Sequence, residues 1–169
     1  MRNSRSDVVA AALRVLDSQG LEFCSMRRVA AELDVQPSAL YHHVADKQTL
    51  LALMADEIVG TVDLGSEDPA GICADLRRAL LGIRDGADVV ATASAFRLGA
   101  SAVEARLGEL LGEDGARTLL LYVFGHAQST QTQLQARELG VLADGPSPVE
   151  LDASFARGVG IILDGVRAD

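Results

Sequence analysis

The residues best equipped for chemistry crowd into one short stretch. Arg27, Arg28, Gln36, Ser38, Tyr41, His42, His43 and Lys47 supply guanidinium, amide, hydroxyl, imidazole and ammonium groups, and residues 36–45 contain no carboxylate. That set suits a polyanion with readable edges. Cations and hydroxyls grip phosphates, Gln36 can pair with base edges, and the Ala39 methyl can meet a thymine methyl. Gln36 can read adenine or a phosphate equally well, and Tyr41 can lie on a phosphate or pack partly in a core. His42 and His43 are adjacent, so on a helix they point about 100° apart and cannot share one metal ion. No metal site and no cofactor is expected.

Local signals say what holds these groups. Ser25 is a good N-cap, and Met26, Val29, Ala30 and Leu33 follow at i, i+3, i+4 and i+7. Asp34-Val35 makes a turn, Pro37 presets the first dihedral of a new helix, and Leu40 and Val44 face inward. The outer face of the second helix is then Gln36, Ser38, Ala39, Tyr41, His42 and His43. A helix, a sharp turn and a second helix of this kind form a helix-turn-helix, the arrangement that enters a DNA major groove. Two ordinary short helices of an all-α protein would show the same periodicity.

Upstream, Ser4 and Asp7 have capping-box spacing, and Val9, Leu13 and Leu16 mark a first helix ending near Gly20. Phe23 is expected to plug the core of this small head. Arg2 and Arg5 are read as preceding that helix, either as an arm reaching DNA or as plain solvated ends. Asp46 caps a fourth helix in which Leu50, Met54, Ile58 and Val62 recur every four residues. The expected organisation is therefore a helix-turn-helix domain at 1–48, a connecting helix at 46–63, a break at Gly65–Gly71 and a body at 64–169.

The body reads as helices throughout, making the chain all-α. Stripes run through Ile72–Ile83 and Val103–Leu111, then through a long helix from about Ala116 to Glu138. After a Gly- and Pro-containing loop at 140–149, Ser147-Pro148-Val149-Glu150 is a capping box opening the last helix. The two long helices carry wide apolar faces, which pairing with a second copy in a four-helix bundle would bury. Leu119, Val123, Phe155, Val159, Ile162 and Leu163 are the expected homodimer contacts. Polar residues interrupt the apolar segments at Thr92, Arg97, His126 and Thr130, with Phe96 and Tyr122 as candidate walls. Together these six are the expected lining of a small-molecule pocket, although His126 alone also fits a satisfied core histidine.

Composition narrows the classes further. Net charge is −9, yet residues 1–48 carry six basic and six acidic groups, so the whole excess lies beyond them. A neutral head on an acidic body is compatible with phosphate contact and predicts marked salt sensitivity. The absence of Trp and the wealth of Ala, Leu and Val favour packed helices. Cys24 and Cys73 are far apart and in no metal spacing, which fits small buried fillers in a reduced, cytoplasmic setting. Neither a signal peptide nor a membrane span is expected. No Gly-x-Ser-x-Gly, phosphate-cradling loop or His-Glu-x-x-His is present, so an enzyme is not expected. A DNA-free helical dimer acting as an adaptor is the alternative.

Pro37-Ser38-Ala39-Leu40-Tyr41-His42-His43-Val44, followed by Lys47 and the leucine-rich Leu50-Leu51, resembles the DNA-binding domain of the tetracycline-repressor family. Arg77-Arg78-Ala79-Leu80-Leu81 with Arg84-Asp85-Gly86-Ala87, and Phe155–Val166, are similar to body segments of the tetracycline-responsive subfamily. The resemblance implies a repressor that binds palindromic double-stranded operator DNA as a homodimer and is released by an effector held in the body. It carries Arg27 onto a base-contacting position and Gln36 onto a specificity position. Tyr41, His43 and Lys47 fall on phosphate-contact positions. Effector binding is expected to shift the fourth helix and change the spacing of the two heads. The chain is short for the family, with the 140–149 loop in place of an extra helix. Val90 stands where the tetracycline-responsive members place a magnesium-binding histidine, so a tetracycline–magnesium effector is not expected.

Overall fold

The computed structural model describes residues 4–166, and every regular element among them is helical. The elements are α1 (Arg5–Gln19), a 3-10 turn (Leu21–Phe23), α2 (Met26–Glu32), α3 (Pro37–Leu40), α4 (Lys47–Val59), α5 (Pro69–Leu81), α6 (Gly86–Ala95), α7 (Ser101–Glu138) and α8 (Pro148–Val166). They form two compact units, and the chain passes between them three times. One unit takes the residues up to Thr61 together with Leu80–Ala100; the other takes Val62–Ala79 and the residues from Ser101 on.

The first unit is built on an apolar centre. Val8, Val15 and Leu16 of α1, Val29 of α2, Leu40 and Val44 around α3, and Leu50 and Met54 of α4 are all buried. α1 starts with the capping box: the Ser4 hydroxyl accepts from the Asp7 N–H at 3.2 Å, and the Asp7 carboxylate accepts from the Ser4 N–H at 2.7 Å. Arg5 is the first residue of α1 rather than part of an arm ahead of it, and Arg2 lies outside the described residues. Phe23 is 52% exposed and does not plug the core; Cys24, one residue on, is the buried side chain, with its thiol directed at the Ala12 carbonyl.

Residues 80–100 also belong to this unit, although the reading from sequence began the body at 64. α6 packs along α4 and buries Val89, Val90 and Ala93. Three carboxylates then pin its flanks by accepting backbone N–H groups: Asp85 from Leu21 at 2.8 Å, Asp17 from Arg84 at 3.2 Å, and Asp56 from Ala100 at 2.7 Å. Gly99 lies so close to the Ala52 carbonyl that a Cβ there would approach it to 2.7 Å. The lack of a side chain is what allows that approach.

In the second unit α7 breaks at Gly112, whose φ of 78° and ψ of 167° are non-helical, leaving residues 101–111 and 113–138 as two helical pieces. α7 ends in a Schellman motif: Gly140 has φ 70°, its N–H bonds the Arg137 carbonyl at 2.9 Å, and the Val141 N–H bonds that of Ala136 at 2.8 Å. The 140–149 loop contains no long helix, and α8 opens on the Ser147–Glu150 capping box. α8 packs on α7 and buries Leu151, Phe155, Val159 and Leu163. Arg106 ties the unit together, with Nε and Nη2 donating to the Ser66 carbonyl at 3.3 and 3.0 Å.

Candidate nucleic-acid interface

The turn between α2 and α3 is set by backbone chemistry. Ser25 Oγ accepts from the Arg28 N–H at 3.3 Å and starts α2. α2 ends in a second Schellman motif, with Val35 N–H on the Ala30 carbonyl at 3.0 Å and Asp34 N–H on that of Ala31 at 3.1 Å. The residue at the left-handed position is Asp34, with φ 54°, where glycine is the usual occupant. Pro37 then opens α3. α3 is shorter than its periodicity predicts: it is regular over Pro37–Leu40 and continues as a turn, with the N–H groups of His43 and Val44 both bonding the Leu40 carbonyl at 2.8 and 2.9 Å. Buried Leu40 and Val44 anchor this segment from below.

On the opposite face Arg27, Arg28, Gln36, Ser38, Tyr41, His42 and Lys47 are exposed, while Pro37, Ala39 and His43 are half-buried. Tyr41 is 54% exposed, which removes the core-packing alternative for it. Neither arginine nor Lys47 forms an ion pair with another described residue, whereas Arg14, on α1, is held by Glu32 at 2.8 Å. Asp46 caps α4 by accepting from the Thr49 N–H at 2.7 Å, a bond that holds its carboxyl below the usual range. The face therefore offers free cations, an amide, hydroxyls and imidazoles around buried anchors. Its chemistry is that of phosphate contact and base-edge pairing.

A second polar cluster sits in the other unit. Tyr122, His126 and Thr130 lie along one face of α7, with Thr130 Oγ1 3.3 Å from His126 Nδ1. The Tyr122 hydroxyl donates to the α8 carbonyls of Ser154 and Phe155 at 3.2 and 3.3 Å, and its ring stacks on Phe155 at 5.8 Å. His126 meets the same Phe155 ring edge-on at 5.2 Å. Arg77 of α5 lies over it, Cζ 5.0 Å from the ring centre, with Nη1 on Asp152 Oδ1 at 2.7 Å. Burial, then the Arg77 charge, pushes His126 below its ordinary value, while burial raises Tyr122. A Cβ at Gly158 would overlap the Tyr122 hydroxyl, so that glycine is what lets the ring lie on α8.

Of the six residues expected to line a pocket, Tyr122, His126 and Thr130 come together. Thr92, Phe96 and Arg97 are exposed residues of the other unit, Phe96 at 67%. Arg97 has φ 54° and occupies the left-handed position of the Schellman motif ending α6, a backbone role. Arg77, Asp152 and Phe155 were not anticipated at this cluster. The one available signal was spacing, because Arg77 sits on the apolar stripe, four residues after Cys73 and three before Leu80.

The expected dimer contacts also need correcting. Leu119, Val123, Phe155, Val159 and Leu163 are buried within a single chain, consumed by α7–α8 packing, and a side chain already covered has no face left for a second copy. Among the apolar side chains the two helices leave outside are Leu121, Val149, Ile161 (73% exposed) and half-buried Ile162. Ile161 and Ile162 line a groove of about 420 Å³ with Leu111, Thr118 and Val166. Among the described residues no His, Cys, Asp or Glu cluster could hold a metal ion, and no helix is long and apolar enough to cross a membrane. Both cysteines are buried, and burial pushes the Cys73 thiol up to about 12.

Comparison with known proteins starts at the head. Residues 8–54 match the family described as bacterial regulatory proteins, tetR family. Over 58 residues the chain is 41% identical to tetracycline repressor protein class E of Escherichia coli, covering 34% of this chain and 28% of that one. The chain thus spans little more than a quarter of that relative's length. Solved structures match throughout. BioQ of Mycobacterium smegmatis superposes with a TM-score of 0.90 at 34% identity, covering 98% of both chains. A structure of BioQ with its double-stranded DNA operator gives 0.80 at 31% identity, covering 99% of both chains. ActR of Streptomyces coelicolor in complex with (S)-DNPA gives 0.73 at 26% identity, covering 99% of this chain and 98% of that one. With its head matched in sequence and nearly its whole length matched in fold at 34% identity, this chain belongs to the tetR family of bacterial regulatory proteins.

Proposed function

We propose that the chain is a transcriptional repressor that binds palindromic double-stranded operator DNA as a homodimer and is released by a small-molecule effector held in the C-terminal body. The carrying observation is the exposed, carboxylate-free face of residues 36–43 over buried Leu40 and Val44. That face is offered by a family whose member BioQ has been solved on its operator and whose member ActR has been solved with a small molecule. Arg27 and Gln36 read bases, with Ser38 and Ala39 beside them at the groove. Arg28, Tyr41, His42, His43 and Lys47 grip the backbone, and Pro37 sets the entry angle. DNA contact belongs to residues 1–48, the connecting helix to 46–63, and effector binding and dimerisation to the body from 64 to 169, of which residues 80–100 pack into the first unit. The groove at Ile161 and Ile162, with Leu121, is the surface offered to the second copy. The reading places the protein's action in the cytoplasm, at the chromosome.

Effector binding needs a coupling of roughly 1–3 kcal/mol to cause a useful loss of operator affinity. The test is selection of bound sequences from a random duplex pool, followed by mobility shift on the recovered site. A palindrome should emerge, and Gln36→Ala or Arg27→Ala should alter its preferred bases by about 1–3 kcal/mol per lost contact. No enrichment at low salt would sink the reading, and capture of a protein partner without DNA binding would favour an adaptor. A monomer by light scattering at micromolar concentration would overturn the dimer.

A further inference from the structure

The Arg77 cluster has features that internal packing does not require. Arg77 is 8% exposed, and its Nε–H is buried with no hydrogen-bond partner. Asp152 occupies only Nη1 and is itself an exposed residue at the rim, so the guanidinium's Nε edge stays open as a donor. Buried polar groups are nearly always satisfied, by protein or by ordered water, so an open donor edge here marks a place for an acceptor. The surroundings indicate which kind. Phe155, 5% exposed, is already stacked by Tyr122, edged by His126 and covered by the guanidinium, so the open Nε–H and not the ring is what a ligand can engage. Further along the same face of α7 come Thr130 and then Gln133, whose amide oxygen is also buried without a partner. Gln133 is seven residues past His126, two helical turns on, and so lies on the same side.

We infer that the open Nε edge of Arg77, beside the Phe155–Tyr122–His126 cluster, is a binding site for a monoanionic organic carboxylate. An arginine edge matches a planar carboxylate geometrically, which a phosphate's tetrahedron does not require. Asp152 cancels one positive charge and Arg157 supplies another within electrostatic reach of Tyr122, so the site favours one negative charge over two. Thr130 and Gln133 add polar partners for hydroxyl or carbonyl groups on the far end of the molecule. The inference rests on the repressor reading for its regulatory meaning, and on the side chains alone for the ligand class.

The experiment titrates the full chain with benzoate, 1-naphthoate, 2-naphthoate and the uncharged 1-naphthamide, by calorimetry, in the wild type and in Arg77→Lys and Arg77→Gln. One naphthoate per chain should bind, at least tenfold tighter than the amide, and Arg77→Lys should lose at least tenfold because it keeps the charge and loses the planar edge. Should Arg77→Gln fail to fold, the lysine variant and the amide comparison in wild type decide. Equal affinity for naphthoate and amide, unchanged binding in Arg77→Lys, or no binding by any of the acids at millimolar concentration overturns the inference. A mobility shift on the same samples separates the two readings. DNA binding without acid binding leaves the repressor standing and removes this site; Arg77-dependent acid binding without DNA binding does the reverse.

Discussion

Replacing Gly158 by alanine tests the Tyr122 packing directly. Helix propensity alone predicts that the change stabilises α8 by about 1 kcal/mol. The structure predicts the opposite, because the new Cβ would fall on the Tyr122 hydroxyl and ring. Displacing that side chain removes its hydrogen bonds to the Ser154 and Phe155 carbonyls, about 1 kcal/mol net. It also removes the Phe155 stack, about another 1 kcal/mol. The residual overpacking costs roughly 1–3 kcal/mol more. Set against the propensity gain, the net is a destabilisation of about 2–4 kcal/mol. In a chain of this size that lowers Tm by roughly 5–10 °C, read by circular dichroism. Gly108→Ala is the control: nothing lies within 4 Å of a Cβ there, so it should gain about 0.5–1 kcal/mol. Adding Tyr122→Ala should erase the penalty at Gly158. If Gly158→Ala raises Tm as Gly108→Ala does, or keeps its cost without the Tyr122 ring, the account of this cluster is wrong.

Asp34→Gly relieves the left-handed strain at φ 54° and should stabilise the chain by about 1 kcal/mol in urea unfolding while leaving the α2–α3 turn in place; a loss of stability would refute the Schellman assignment. Lys47→Ala should weaken binding across all duplex sequences and reduce the slope of log affinity against log salt by about 1, so an altered base preference instead would count against a phosphate role. His126 has a folded value held below its ordinary 6.5, so the unfolded chain takes the proton first. Stability should therefore fall as pH drops through about 6.5, and His126→Gln should flatten that limb of a Tm-against-pH curve.

Much of the head was legible because its signals are local. Ser25, Pro37 and Asp46 each act within four residues of themselves, so caps and spacing suffice to place α2, α3 and α4. The length of α3 was not legible, since the turn through His43 has the same residue pattern as a longer helix. Phe23 was misplaced because hydrophobicity says nothing about which of two neighbouring side chains, Phe23 or Cys24, reaches the core. The dimer face failed for a related reason. Periodicity finds the apolar sides of α7 and α8 but not which side each spends on the other, and Leu119 and Leu163 lie on the spent side. Arg77 was hidden as half of an Arg-Arg pair, and only its register with Cys73 and Leu80 distinguished it from exposed Arg78.

The return of residues 80–100 to the first unit bears on how such proteins can be recombined. A gene fusion cut after α4 would strip that helix of Val89, Val90 and Ala93 and leave the Leu21 N–H without Asp85. The DNA-reading module is thus not an N-terminal cassette. A productive exchange of operator specificity has to carry a discontinuous graft, or be confined to side chains on the reading face.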